Sequence, residues 1–338
     1  MKIQHNISLK PYNSFGVEAF ADVFIEANSV GQLKEILGNT ALNHLPRLIV
    51  GGGSNMLFCN DFHGLVIKTD FQGIEVLEKG EEIFVKVGAG VVWNHLVGYC
   101  VQNGLGGIEN LTLIPGSAGA APIQNIGAYG VEVKDVFHEL TAFEFATGEI
   151  RVFSKVDCKF GYRQSYFKEE GKGKFLITNI TLKLTKNSEL NTSYGAINNE
   201  LDARGISNPT IADISKVVGD IRQSKLPDPT TIGNAGSFFK NPVLGNDIVN
   251  PVKAKFPDLV IFPMGPNHTK VAAGWLIENC GWKGKIIGNT GTWKNQALVL
   301  VNNGGATGQE VFDLSEKIIQ SVKDKFGIPL EREVNIIR

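Results

Sequence analysis

Cysteine is scarce in this chain, and the four present stand far apart. Cys59, Cys100, Cys158 and Cys280 form none of the close pairs that a metal site or redox dithiol requires, so they read as buried thiols. The six histidines, His5, His44, His63, His95, His138 and His268, are equally dispersed, with no pair at helical metal-ligand spacing, and no metal centre is expected. Neither sign of charge is in surplus, since 33 Lys and Arg face 34 Asp and Glu for a net charge of -1. That balance offers no electrostatic footprint for nucleic acid and no polybasic membrane patch, so an anionic ligand must be met by local groups. No apolar run reaches the length of a membrane span, and the opening MKIQHNISLKPYNSFG has no signal-peptide core. The expectation is a cytoplasmic protein without a nucleic-acid or membrane partner.

Glycine, by contrast, is abundant. The 39 glycines exceed average usage for 338 residues, and many fall where apparent strands end, which suggests close backbone approach to a large ligand. The hydrophobic share of 43% supports a folded chain, and the length exceeds what one core usually serves, so two or three domains are expected.

Along the chain, Val23 to Ala27 reads as a strand, Val30 to Leu37 as a helix, and Leu48 to Val50 as a buried strand running into Gly51, Gly52, Gly53, Ser54 and Asn55. Successive amides in such a turn form a nest that suits a phosphate. The turn lacks the lysine and hydroxyl of a nucleotide P-loop, and Met56 replaces the last glycine of the dinucleotide fingerprint, so it belongs to neither class. A hairpin (Ile74 to Leu77, Ile83 to Val87) and an amphipathic helix with Val92, Leu96 and Cys100 follow. The stretch from Asn110 to Glu132 mixes small residues, amides and turns with almost no charge. It either wraps a planar ligand, with Gln124 and Asn125 as hydrogen-bonding amides, or serves as a structural crossover.

Strands return at Leu140 to Phe145, Arg151 to Phe153 and Phe175 to Leu184, with Arg163 lying in FGYRQS between them; from residues alone it reads as a strand cap or surface ion pair. The polar segment from Thr185 to Asn208, with Tyr194 in its middle, reads as a linker or mobile loop. Thr210 caps a helix striped with Ile211, Ile214, Val217, Val218 and Ile221, and Arg222 and Lys225 either satisfy its last carbonyls or meet an anion. Ala272 to Cys280 reads as a buried helix, Thr307 and Glu310 as a capping box, and Glu331 to Ile336 as a final strand in which Glu333 faces inward or pairs with Arg163. In GNAGSFFKNP, Gly233 and Gly236 allow positive φ or close approach, while Phe238 and Phe239 plug a core and hold Ser237 still. An ordinary turn is the alternative.

The GGGSN turn, the PGSAGAAPIQNIGAYG loop, GYR, the KLPDP exit and GNAGSFFKNP occur in an order that resembles the UDP-N-acetylenolpyruvoylglucosamine reductases, from Leu9 to about Val334. The resemblance implies an α+β, FAD-binding, vanillyl-alcohol-oxidase-like (PCMH-type) fold. Its FAD subdomains would span residues 1–69 and 70–212, the latter with a mobile loop at 185–208. An α/β substrate domain would follow at 213–328, and a C-terminal strand at 329–338 would bring Glu333 to the flavin. Non-covalent FAD is implied along Gly51, Gly53, Ser54 and Asn55 and along Pro115, Gly116, Gln124, Asn125, Gly127 and Tyr129, with Arg222 reaching it. Ala120 and Ala121 stand where many relatives carry hydroxyls, so no side-chain bond to the cofactor is expected there.

The implied reaction is NADPH-dependent reduction of UDP-N-acetylglucosamine enolpyruvate to UDP-N-acetylmuramate by a monomeric enzyme. By the same resemblance, Ser237 is the proton donor, Arg163 and Glu333 stabilise the intermediate, and Tyr194, Lys225, Asn241 and Gln296 hold the substrate. The Tyr194 loop resembles the subtype in which a tyrosine folds over bound substrate. Two rivals remain: a related flavin oxidase, which often tethers its flavin to a histidine absent from both FAD stretches, and a non-catalytic binder of FAD or a uridine nucleotide.

Overall fold

Alternating apolar residues in FADVFIEA build the strand Phe20–Ala27, and Ser29 then starts the helix Val30–Gly38 by accepting a hydrogen bond from the Gln32 amide at 3.4 Å. In this computed structural model, which describes residues 1–80 and 82–338, that helix carries the chain to Arg47–Val50, and the strand Phe62–Thr69 lies parallel between the two. Gln4–Ser8 completes the sheet. A second, antiparallel sheet runs in the order Ile150–Ser154, Phe137–Glu144, Phe175–Leu184, Glu82–Gly88, Ile74–Lys79. Its Phe143 and Leu176, with Phe145 just beyond the strand, share a core with Val23, Ile25 and Ile67 of the first sheet and Leu33 of the helix, so the sequence on either side of residue 69 packs as one body. The other face buries Leu140, Ile180 and Leu182 against Trp93, Leu96 and Cys100 of the helix Trp93–Gln102. Val92, expected on that stripe, sits at the N-cap with 46% exposure, and Trp93 takes its place.

The chain divides into two units that are interleaved in sequence. The first takes Met1–Ile7, Ala21–Gly53 and Phe62–Gln223, the second Ser8–Phe20, Ser54–Asp61 and Ser224–Arg338. The helix Ile211–Lys225 accordingly runs across the division expected at residue 212. Its Ile214, Val217, Val218 and Ile221 pack with Ile197 and Leu201 of the helix Gly195–Ala203. That second helix lies inside the segment expected to be a mobile loop. Its apolar residues are few, but Ile197 and Leu201 stand four apart, enough to bury one face on a neighbour.

The second unit has an antiparallel sheet ordered Gly233–Ser237, Val299–Asn302, Thr290–Thr292, Ile286–Ile287, and a three-stranded one of Val243–Gly245, His268–Val271 and Ile261–Pro263. The helix Gly308–Phe326 has its expected capping box, Thr307 with Glu310, and ends at Gly327 in the left-handed conformation, φ 69°. The final strand is Asn335–Ile337, shorter than expected, and it pairs in parallel with Met56–Phe58. Cys100 and Cys158 are buried, which pushes both thiols up to about 12, whereas Cys59 and Cys280 are only half-buried. Among the described residues no helix is long and apolar enough to cross a membrane.

Gly308 fixes this packing, because a Cβ there would lie 1.7 Å from the Phe58 carbonyl oxygen. Gly308→Ala is expected to cost roughly 3 kcal/mol or more in urea unfolding. Gly98→Ala, inside the helix Trp93–Gln102 with nothing within 4 Å of the added methyl, should instead stabilise by about 0.5–1 kcal/mol.

Candidate active site

The glycine turn after Arg47–Val50 meets the loop at Pro115 at backbone distance. A Cβ on Gly51 would lie 2.3 Å from Ser117 Oγ, and one on Gly52 would lie 2.9 Å from the Gly116 Cα. Gly53 and Gly116 take φ of 61° and 118°, which glycine adopts without strain. The loop is itself anchored: the Trp93 amide donates to the Gly116 carbonyl at 2.9 Å and the Ala118 amide to that of Val91 at 2.8 Å. Ser117 is buried and its Oγ has no hydrogen-bond partner among the described residues, leaving a hydroxyl beside a side-chain-free turn. Sequence reasoning did not single out Ser117. The signal available was that it is the one serine of PGSAGAAPIQNIGAYG, in which Ala120 and Ala121 carry no hydroxyl.

Asn125 behaves differently from the expectation of a ligand-binding amide. Its Nδ2 donates to Glu132 Oε2 at 2.9 Å and to the Gly161 carbonyl at 3.0 Å, and its Oδ1 accepts from the Lys134 amide at 3.1 Å. The fully buried side chain therefore holds the loop together. Gln124 and Gly127 are half-buried next to it. Arg163 reaches this loop, donating from Nη2 to the Gly127 carbonyl at 2.8 Å, and its guanidinium lies 5.5 Å from the Tyr162 ring centre. Strand capping, the bland reading of Arg163, does not describe this contact.

Arg222 is half-buried, and its Nε has no partner among the described residues. Burial pushes its guanidinium below the usual arginine range; neighbouring Tyr129 opposes that shift and the like charge of Arg163 adds to it. Burial raises the Tyr129 phenol, and Arg222 pulls it back. Tyr194 meets the Tyr129 ring edge-on at 5.2 Å and remains 46% exposed. Asn110 ties the two loops by donating to the carbonyls of Tyr129 at 3.0 Å and Asn191 at 2.9 Å. The first unit thus gathers Arg163, Arg222, Tyr129 and Tyr194 around one loop.

In the second unit, Ser237 ends the strand Gly233–Ser237, paired with Val299. Phe238 and Phe239 are buried, as expected, and fix the backbone beyond it. Gly233 is needed for the protein's own sake, since a Cβ there would lie 2.1 Å from the Phe15 carbonyl oxygen. The Glu333 amide donates to the Phe238 carbonyl at 2.8 Å, which brings Glu333 beside Ser237 in a link preceding the final strand. Asn55 donates from Nδ2 to the Glu333 carbonyl at 3.3 Å; Ser54 beside it is half-buried. Asn241 Oδ1 accepts from the Ala273 amide at 2.9 Å, and a Cβ on Gly274 would lie 3.1 Å from Gln296 Oε1, so both amides meet the first turn of the helix Ala273–Asn279. Asn295 reaches the Ser224 carbonyl at 2.9 Å, which brings exposed Lys225 to the same loop as Gln296.

An FAD-binding flavoprotein is the class that this fold and cradle define. Residues 21–154 match the FAD binding domain family, and 228–337 match the C-terminal domain of UDP-N-acetylenolpyruvoylglucosamine reductase. The fold is that of a UDP-N-acetylenolpyruvylglucosamine reductase from Thermus caldophilus, with a TM-score of 0.71 at 24% identity and 100% of each chain covered. It is also that of a VAO-type flavoprotein from Myceliophthora thermophila, with a TM-score of 0.51, 12% identity, and 91% of this chain and 70% of that one covered. Reductases of the same name from Flavobacterium johnsoniae and Pseudomonas aeruginosa are 48% and 44% identical over 100% and 99% of both chains. The chain belongs to the UDP-N-acetylenolpyruvoylglucosamine reductase family.

The residues present fit FAD. Side-chain-free turns at Gly51 to Gly53 and Gly116 let a dinucleotide approach the backbone, and Ser117 Oγ and Arg222 Nε are buried donors awaiting an acceptor. Gly52→Ala should force the two turns apart and weaken FAD binding at least about 10-fold while leaving the far-ultraviolet dichroism unchanged. Fluorescence titration of the stripped protein with FAD checks this.

Proposed function

We propose that the chain reduces the enolpyruvyl group of UDP-N-acetylglucosamine enolpyruvate, giving UDP-N-acetylmuramate for peptidoglycan synthesis, with NADPH as hydride donor. Full-length membership of the reductase family carries this reading. FAD, held by the side-chain-free turns at Gly51 to Gly53 and Gly116, would supply the hydride-transfer chemistry that the side chains lack.

The remaining work falls to the protein. Negative charge develops on the carbon bearing the carboxylate, and Arg163 offers a planar fork of donors to that charge. Glu333 donates a second hydrogen bond when its carboxyl is protonated, and Ser237 delivers the proton to carbon. A serine is a weak acid, but a carbanion beside it needs a short proton path more than a strong donor. Lys225, Asn241 and Gln296 hold the nucleotide diphosphate, a role supported by Asn241 and Gln296 meeting the first turn of the helix Ala273–Asn279 and by the bond from Asn295, next to Gln296, to the Ser224 carbonyl, next to Lys225. Tyr194 covers it, and its exposed phenol at the start of the helix Gly195–Ala203 supports that role.

Two outcomes test the assignment. Ser237→Ala should leave NADPH bleaching of the flavin absorbance at its normal rate and slow the return of absorbance on adding the enolpyruvyl substrate by on the order of 10² to 10⁴, with Ser237→Cys recovering part. Equal slowing of both phases would assign Ser237 a structural role, and unchanged recovery would remove it from proton transfer. Tyr194→Phe should raise KM for the substrate several-fold while FAD affinity stays constant; an unchanged KM would reduce that segment to a linker.

A further inference from the structure

Glu333 lies where the chain changes partners. Upstream, the Lys240 amide donates to the Glu331 carbonyl at 2.9 Å, Phe239 pairs with Arg332, and the Glu333 amide donates to Phe238. Downstream, Asn335–Ile337 pairs in parallel with Met56–Phe58. Only Glu333 and buried Val334 span the switch, a step too short for either ladder to orient. Two side chains bridge it. Asn335 donates to the Asn55 carbonyl from its amide N at 3.1 Å and from Nδ2 at 3.0 Å, and Asn55 returns a bond from Nδ2 to the Glu333 carbonyl at 3.3 Å.

We propose that Asn335 is a positioning residue for Glu333: through Asn55 it fixes the backbone from which the Glu333 carboxyl projects toward the reacting carbon. The proposal rests on the role given to Glu333 above. Asn335 touches neither substrate nor cofactor in this scheme and acts through the peptide that carries the acid. Because the second bond to Asn55 comes from the Asn335 backbone, removing the side chain leaves the strand pairing in place and loosens only the bridge. A loss of alignment of about 1 Å at a reacting group costs on the order of 10²-fold, which sets the scale.

Asn335→Ala tests this in the full-length FAD-loaded protein. The expected result is normal NADPH bleaching, recovery by the enolpyruvyl substrate slowed about 10- to 100-fold, and a changed pH dependence of that recovery. Asn335→Ser, which retains a donor, should restore part of the rate and also serves if the alanine variant unfolds. Adding Asn335→Ala to Glu333→Gln should cost less than about 2-fold further, because a residue acting through Glu333 has nothing left to position. Wild-type recovery in Asn335→Ala, equal slowing of both phases, or fully additive losses would overturn the proposal. A Glu333→Gln variant with normal recovery would overturn the reading of Glu333 itself, whereas a slow Glu333→Gln beside a normal Asn335→Ala would overturn only the positioning role.

Discussion

The cofactor cradle depends on the near-contact of two backbones, Gly51 and Gly52 against Gly116 and Ser117. The turn at Gly51 and Gly52 can carry no side chain toward the loop, since a methyl on Gly51 would stand 2.3 Å from the Ser117 Oγ and one on Gly52 2.9 Å from the Gly116 Cα. What remains at the surface of the turn is peptide amide, and beside it the Ser117 hydroxyl, which has no partner among the described residues. Leaving a buried polar group unsatisfied costs about 1–3 kcal/mol, a penalty that a dinucleotide cancels when it supplies the missing acceptor. Stability of the empty chain and affinity for the ligand are thus opposed at Ser117 and Arg222.

The same opposition governs charge. With a net charge of -1 the molecule has no global attraction for anions, so attraction must come from where its cations are placed. Arg163 and Arg222 are close enough for the charge on one to depress the other, and Arg222 is already depressed by burial. Two guanidiniums in partial burial repel each other in the empty protein, and an anion between or beside them relieves that repulsion. Tyr129 lies near Arg222, its phenol raised by burial and lowered by Arg222, so it stays a neutral donor at physiological pH.

Much of this was legible in the sequence, for identifiable reasons. Thr307 and Glu310, Gly327, and the stripe of Val311, Leu314, Ile318 and Val322 specify their helix through local chemistry, and the helix formed as written. The motif order placed the chain in its family because several long motifs occur together in one chain and in one order. The helix Gly195–Ala203 escaped notice because two apolar residues sufficed once a neighbouring helix covered them, and that neighbour is a tertiary fact. The interleaving of Ser8–Phe20 and Ser54–Asp61 with the C-terminal part was likewise invisible. It rests on Met56–Phe58 pairing with a strand some 280 residues away and on Gly308 packing against the Phe58 carbonyl. The bonds that the Asn125 side chain makes to Glu132, Lys134 and Gly161 were not legible either, because a sequence shows an amide without showing its partners.

Strain explains why that amide is committed inward. Four non-glycine residues in or against the loop hold positive φ: Leu113 at 59°, Asn125 at 46°, Tyr129 at 50° and Arg163 at 54°. Each costs on the order of 1–3 kcal/mol and persists only where the surroundings over-determine it. The surroundings do so here: three side-chain bonds hold Asn125, the Asn110 amide grips the Tyr129 carbonyl, and Arg163 is bonded through Nη2 to Gly127 and through its carbonyl to Lys168. Holding Tyr129 and Arg163 in the left-handed region fixes the backbone from which each side chain leaves its own turn, and the buried amides make that conformation the stable one.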